Sequence, residues 1–149
     1  MIVATRSIER LRRLCEIIPP LLEQISDLGF LSKPSHEKWS KKEILGHLID
    51  SAANNHHRFI RIQYEREPVI SYDQNQWNSL SHYADLERSQ LISFWTLYNK
   101  HLLHLLKYIP EENLGLNGVG GDGKQLPLHF YITDYIDHLE HHLHQLVCY

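Results

Sequence analysis

The sequence predicts an all-α protein folded as a four-helix bundle. Apolar residues recur every three or four positions along four long segments, which is the spacing that places them on one face of a helix. Capping residues and prolines mark where these segments begin and end. The chain has 149 residues, of which 42% are hydrophobic, so it can bury one core but is short for two ordinary domains. We therefore expect a single domain across residues 1–149.

The first helix is predicted over residues 5–27. Because proline lacks the amide hydrogen and its ring clashes with the preceding turn, Pro19 and Pro20 should kink or split this helix near Ile18. The residues that define its buried face are Ile8, Leu11, Leu14, Ile18, Leu21, Ile25 and Leu28.

The second helix has the clearest start signal in the chain. Ser40 and Glu43 have the spacing of a capping box, and Trp39 before the cap can pack on Ile44. We predict that this helix covers residues 41–66.

Two further helices complete the predicted bundle. The third begins near Asp85, which suits an N-cap, and ends before Pro110. The fourth opens at Pro127, whose fixed φ angle suits the first helical position, and continues to the C-terminus. The core stripe of the third helix comprises Leu91, Trp95, Tyr98, Leu102, Leu105 and Ile109.

Two connections lack helical periodicity, at residues 67–83 and 111–126. Both are long enough to cover one end of a bundle. The second holds five of the seven glycines and contains the pattern G-x-x-x-x-G-K at residues 118–124. Gln125 stands where a phosphate-binding loop needs Ser or Thr, so we predict a flexible or hairpin-like connection and not a nucleotide site.

Charge and composition exclude several classes of function. The 15 basic and 18 acidic side chains give a formal charge of −3 without a dense basic run, which argues against nucleic acid as a partner. Neither a signal peptide nor a membrane span can be recognised, so we expect a cytoplasmic protein with no membrane partner. Cys15 and Cys148 lack a C-x-x-C pattern, which is typical of reduced, structural thiols.

Histidines near the C-terminus indicate a metal site. His138 and His142 have the i, i+4 spacing that places two imidazoles on one helical face. A catalytic zinc-type centre usually takes three protein ligands and leaves one position for water or substrate. His47, in the second predicted helix, is the best candidate for the third ligand. Three neutral imidazoles suit zinc, nickel, copper or iron.

A polar stripe accompanies His47 along the second helix. Successive helical residues advance by about 100°, which places several polar side chains within about 60° of His47. They are Ser51, Asn54, Arg58 and, at the edge, Asp50. Asp50 or Gln145 would orient ligands or substrate, and Arg58 could pair with an anionic substrate. We therefore take Asp50, Asn54, Arg58 and Gln145 as candidate catalytic residues.

Other histidines have simpler interpretations, because histidine makes up 12 of the 149 residues and chance pairs are expected. His141 and His144 lie off the face of His138 and are expected at the surface, with His141 a lesser alternative ligand. A solvated helix face explains the remaining clustered histidines, which are His56, His57, His101 and His104.

One series of motifs spans nearly the whole chain in order. It comprises Trp39, the segment EILGHLIDS at residues 43–51, Asn54, Asn55, Arg58 and Phe59, Tyr72-Asp73-Gln74-x-x-Trp77, and His138-x-x-x-His142-x-x-Gln145. In these motifs the chain resembles the DinB/YfiT superfamily. The resemblance implies up-down-down-up connectivity and, often, a homodimer. It also implies a zinc or nickel ion bound by His47, His138 and His142.

Members of that superfamily are similar to metal-dependent hydrolases and to thiol-dependent transferases or isomerases. The resemblance therefore implies an enzyme with a mononuclear three-histidine site and a small-molecule substrate. Our first hypothesis is a hydrolase that uses metal-activated water. Two alternatives stay open: an S-transferase or isomerase that uses a low-molecular-weight thiol, and a non-catalytic bundle stabilised by its metal.

Overall fold

The structure is a computed structural model that describes the backbone of residues 2–149 and the side chains from Thr5 onward. Over these residues the helices are α1 (Ile2–Glu23), α2 (Asp27–Leu31), α3 (Lys41–Arg61), α4 (Gln74–Ser81), α5 (Arg88–Leu106) and α6 (Leu128–Leu146). Two short strands, β1 (Asn117–Val119) and β2 (Gln125–Pro127), pair antiparallel as a hairpin. The helix α3 packs on α5 and α6, and α1 packs on the same two helices from the other side. The predicted all-α four-helix bundle is confirmed.

Side-chain contacts show how α1 and α3 run beside α6. Lys41, at the start of α3, donates to the carbonyl of Leu146 at the end of α6. Arg58, near the end of α3, lies over the Tyr131 ring near the start of α6, so these two helices are antiparallel. In contrast, α1 and α6 are parallel, because Ser7 contacts Thr133 and Arg10, one turn further along α1, contacts Asp137, one turn further along α6.

The helix α5 completes the connectivity. Arg88, at its start, donates to Asp27 just beyond the end of α1, which makes α1 and α5 antiparallel. His56 in the second half of α3 contacts Tyr98 in the second half of α5, so α3 and α5 are parallel. These directions give the up-down-down-up connectivity that the resemblance implies.

Parallel neighbours require a connection that returns along the length of the bundle, and residues 62–87 provide it. Val69 pairs with Val119 of the hairpin at one end. At the other end, the Asn78 amide donates to the Glu43 carbonyl and so holds α4 against the first turn of α3. The sequence predicts no helix in this segment, whereas the structure contains α4, whose first turn is capped by the side chain of Asp73.

The first helix differs from the prediction. It passes through Pro19 and Pro20 and ends at Glu23, so the expected split near Ile18 is wrong. Ile18 and Leu22 are fully buried on either side of the prolines, and their burial holds the last turn in the helix. Leu28, expected in the core, is 82% exposed because α2 is a separate helix that buries Phe30 instead.

Other helix boundaries shift for local reasons. The helix α3 ends at Arg61 and not near residue 66. Glu67 precedes Pro68 and has a left-handed φ of 48°, a backbone conformation that cannot continue a helix. The helix α5 begins after Glu87, because Asp85 lies in a 3-10 turn. Pro127 is the N-cap of α6 and not its first helical residue, so this helix begins one residue later than predicted, at Leu128. The connection at residues 111–126 includes the predicted hairpin.

The capping box predicted at the start of α3 is present. The Ser40 side chain accepts from the Glu43 amide, and the Glu43 carboxylate accepts from the Ser40 amide. These bonds fix the first turn of α3 and therefore the height of the residues that follow it. Across the described residues, no helix is long and apolar enough to cross a membrane.

Replacing Gly46 by Ala is expected to destabilise the bundle. A Cβ atom at this position would overlap the Tyr83 ring, which lies directly on α3. Overpacking of this kind costs about 1–3 kcal/mol of unfolding free energy, measured by urea denaturation. Gly115→Ala is the control, because a Cβ there meets nothing within 4 Å and should change stability by less than about 0.5 kcal/mol. Equal stabilities for the two variants would contradict the close packing.

Candidate metal centre

Three histidines converge where the start of α3 meets the end of α6. His47 is fully buried, whereas His138 and His142 are partly exposed. Their ring centroids are 4.6–5.0 Å apart, and one ring nitrogen from each residue lies within 4.8 Å of the others. The Nε2 atoms of His47 and His138 are 3.1 Å apart. The structure thus brings together the residues that the sequence placed on two separate helices.

Neighbouring side chains orient these rings. The Nδ1–H group of His142 donates to Gln145 Oε1 at 2.9 Å, which leaves Nε2 free to bind a metal. Nδ1 of His138 makes a longer contact of 3.5 Å with the Ser51 hydroxyl. The Trp39 ring packs on His47 with centroids 4.9 Å apart.

The electrostatic environment keeps the three imidazoles neutral. Burial, followed by the neighbouring histidines, lowers the pKa of His47 to about 3. The pKa of His138 falls to about 4 for the same reasons, with a contribution from Arg58. Burial also lowers the pKa of His142, although its hydrogen bond to Gln145 acts against this. Neutral imidazole is the form that binds metals.

This donor set fits a divalent transition metal. Nitrogens bound to one tetrahedral zinc ion lie about 3.3 Å apart, close to the contact between His47 and His138. The Nδ1 atom of His47 is buried and finds no hydrogen-bond partner among the described residues. Within the described part of the chain, the group holds three residues without a fourth His, Cys, Asp or Glu. Three imidazoles and one free position are the pattern of a catalytic site.

Asp50 lies one turn beyond His47 on α3 and is 3% exposed. Its Oδ1 atom accepts a hydrogen bond from the Tyr83 hydroxyl, whereas Oδ2 is buried and unpaired within residues 5–149. Burial raises the pKa of Asp50 to about 6, and the Tyr83 bond acts in the opposite direction. Asn54 is also buried, and its amide donates to the Asp50 carbonyl at 2.9 Å.

Arg58, which the sequence predicts to pair with an anionic substrate, forms hydrogen bonds with other groups of the protein. One Nη atom donates to Asn55 Oδ1 at 3.1 Å and the other to the Ile70 carbonyl at 3.3 Å. Its guanidinium carbon lies 5.0 Å from the centre of the Tyr131 ring. Both ends of the planar fork are therefore occupied by protein groups, and its positive charge acts to lower the pKa values of Asp134, Tyr131 and His138.

Two neighbours of the site were not predicted as site residues. Tyr83 fixes Asp50, and Tyr72 lies close enough to Ser51 for that side chain to act to lower the Tyr72 pKa, while Ser51 in turn contacts His138. Both tyrosines come from the segment between α3 and α5, whose path does not follow from its sequence. The one local signal was Asp73, a residue type that favours helix N-caps, directly after Tyr72.

The family model of the DinB superfamily matches residues 10–146. The chain belongs to the DinB superfamily. The resemblance seen in the sequence is thereby confirmed for all four long helices of this DinB protein. Among proteins of curated function, none matches the chain by sequence.

Solved structures share the fold of this DinB protein. YfiT from Bacillus subtilis, described as "a probable metal-dependent hydrolase with an unusual four-helix bundle topology", matches with a TM-score of 0.86 and 19% identity over 96% of this chain and 83% of YfiT. A mycothiol-dependent maleylpyruvate isomerase matches with a TM-score of 0.80 and 12% identity. That match covers 96% of this chain and 60% of the isomerase. At these identities the similarity shows a common fold.

The lowered pKa values predict that the metal-free DinB protein loses stability below pH 6.5. Folded His47 and His138 stay neutral while the unfolded chain takes up protons, so each lowers the free energy of unfolding by about 1.4 kcal/mol per pH unit down to its folded pKa of about 3 or 4. Asp50 acts in the opposite direction between pH 3.8 and about 6, because its buried carboxyl keeps a proton that the unfolded chain has lost.

Urea unfolding of chelator-treated protein between pH 4 and pH 7 measures this dependence. The effect of the two histidines is larger than that of the one carboxyl group, so the free energy of unfolding should decrease as the pH is lowered from 7 to 4. His47→Asn should flatten the profile and Asp50→Asn should steepen it. His36→Asn, at an exposed position, should leave the slope unchanged. If the free energy of unfolding of the wild-type protein did not change with pH, the folded imidazoles would not be held neutral as described.

Proposed function

We propose that this protein is a metal-dependent enzyme that holds one divalent ion through His47, His138 and His142. The observation that supports this proposal is the convergence of three neutral ring nitrogens from two helices within 4.8 Å. The description of YfiT as a probable metal-dependent hydrolase supports the same reaction class here. Hydrolysis of a small ester or amide is therefore the activity that we put first.

Zinc and nickel are the proposed metals, because both accept three imidazole ligands. When bound, such an ion lowers the pKa of water to about 7 and polarises a carbonyl group. Gln145 and Ser51 hold the rings of His142 and His138 in the orientation that exposes one nitrogen of each. Loss of such orienting partners typically weakens metal binding by about 10–100-fold.

Asp50 is proposed to accept and return a proton. Tyr83 occupies Oδ1, so that Oδ2 is the atom available for proton transfer. A pKa of about 6 is close enough to neutrality for both protonation states to be populated during turnover. Asn54 fixes the backbone of Asp50, and Arg58 contributes positive charge beside His138.

A thiol-dependent reaction is the alternative. The isomerase that shares this fold depends on mycothiol, and a thiolate is a good ligand for the free position of a zinc site. A non-catalytic, closed metal site is less well supported, because the described group contains three ligand residues. The single domain, the homodimer and the cytoplasmic location stay predictions from the sequence.

Metal content tests the proposed ligands. Untagged protein, purified without chelator or nickel resin, should contain about one equivalent of a transition metal by plasma mass spectrometry. His47→Ala and His142→Ala should each remove it while circular dichroism shows unchanged helical content. His141→Ala is the matched control, because this exposed neighbour lies beside His142 but outside the three-histidine group. Full metal in His142→Ala would refute the site.

Turnover of model esters and amides tests the reaction class. Metal-loaded protein should hydrolyse them without added thiol, and His142→Ala should lower the rate by at least about a hundredfold. His141→Ala should retain the rate. Activity that appears only when a low-molecular-weight thiol is supplied would replace the hydrolase by the thiol-dependent alternative.

A further inference from the structure

A cleft of about 670 Å³ opens beside the candidate metal centre, between the segment before α3 and the start of α4. His142 and Gln145 form part of its wall, so the cleft reaches the exposed edge of the three-histidine group. Trp39 and Ile44 supply apolar surface, while Gln74 on α4 supplies an amide. This volume is in the range of sites for small molecules.

The charges around this cleft are unequal. Among the described residues that line it, three are lysines and one is a carboxylate, namely Lys33, Lys38, Lys41 and Glu37. Lys41 is committed to the protein, because its Nζ atom donates to the Leu146 carbonyl at 3.0 Å. Lys33, which is exposed, makes an ion pair of 3.3 Å with the partly exposed Glu43, and ion pairs at the surface are weak.

Lys38 carries the most available charge. Its side chain is exposed and forms no ion pair with any described residue. Arg58, the cation that the sequence favoured for binding an anion, has both ends of its fork occupied by Asn55 and Ile70. The Nε atom of Arg58 has no partner among the described residues, but it is buried. The exposed positive charges that can meet a ligand are therefore at the mouth of the cleft and not beside the histidines.

We propose that the substrate is a small molecule with an anionic group, carboxylate or phosphate, at the end remote from the reacting group, and that Lys33 and Lys38 bind that group. Its reacting end would lie at His142 and its middle against Trp39 and Ile44. Only the position of the reacting end, at His142, rests on the proposed function. The anion site at the two lysines follows from the lining of the cleft.

Calorimetric titration of the zinc-loaded protein with three small thiols tests the inference. Mercaptosuccinate is anionic, thioglycerol neutral and cysteamine cationic, while all three can reach a metal through sulfur. We expect mercaptosuccinate to bind most tightly and cysteamine most weakly. In the double variant Lys33→Ala/Lys38→Ala, mercaptosuccinate should lose about fivefold in affinity while thioglycerol is unchanged. Added salt should shrink this difference.

Two variants control for general charge effects. Lys100→Ala/Lys107→Ala removes the same charge from exposed positions at the far part of α5 and just after it, and should leave all three affinities unchanged. Glu37→Gln removes the carboxylate of the cleft and should strengthen mercaptosuccinate binding. The proposal is overturned if the cleft lysines can be removed without loss, or if cysteamine binds as tightly as mercaptosuccinate.

Chelator-treated protein separates this proposal from the metal proposal. Succinate and inorganic phosphate are titrated into it, and the tighter of the two identifies the anion. Binding that the Lys33→Ala/Lys38→Ala variant loses would support the anion site even if the protein held no metal. Thioglycerol binding to the zinc-loaded protein, without any preference for the anionic thiol, would support the metal site and overturn the anion site.

Discussion

The meeting of three uncharged imidazoles between α3 and α6, one of them fully buried, is the constraint on which the rest of the structure depends. A buried polar ring is costly unless its nitrogens find partners, and the fold supplies Gln145 and Ser51 for this purpose. The capping box at Ser40 fixes where α3 begins, and thereby the level at which His47 meets α6. Nδ1 of His47 finds no partner among the described residues, whereas Nε2 of His47 faces Nε2 of His138 at 3.1 Å, which is the arrangement that a shared cation relieves.

A second set of contacts depends on Gly46, which has no side chain. Gly46 lets the Tyr83 ring lie directly on α3, and from there its hydroxyl reaches Asp50. The carboxyl group is thus held by a residue from the crossover between α3 and α5. The same crossover carries Tyr72 to Ser51 and α4 to the edge of the cleft. One connection therefore places side chains beside Ser51, which contacts His138, beside the acidic residue and at the opening.

Local patterns predicted the parts of the molecule that local physics determines. Periodicity gave the four long helices, the Ser40 and Glu43 pair gave the start of α3, and the i, i+4 spacing paired His138 with His142. The errors have a tertiary cause. Burial of Ile18 and Leu22 overrides the prolines of α1, and burial of Phe30 in place of Leu28 separates α2. The short, polar α4 lacks periodicity, and the contact between Tyr83 and Asp50 joins positions 33 apart.

The distance along the chain between His47 and His138 also affects how the protein folds. These residues are 91 positions apart, so their rings can meet only when α3 and α6 dock. An ion that binds only the docked helices stabilises the native state and not the species that precede it. The effect of a bound ion would therefore fall on the unfolding rate. Loaded and metal-free chains would reach the folded state at similar rates, and the bound ion would set how long each molecule stays there.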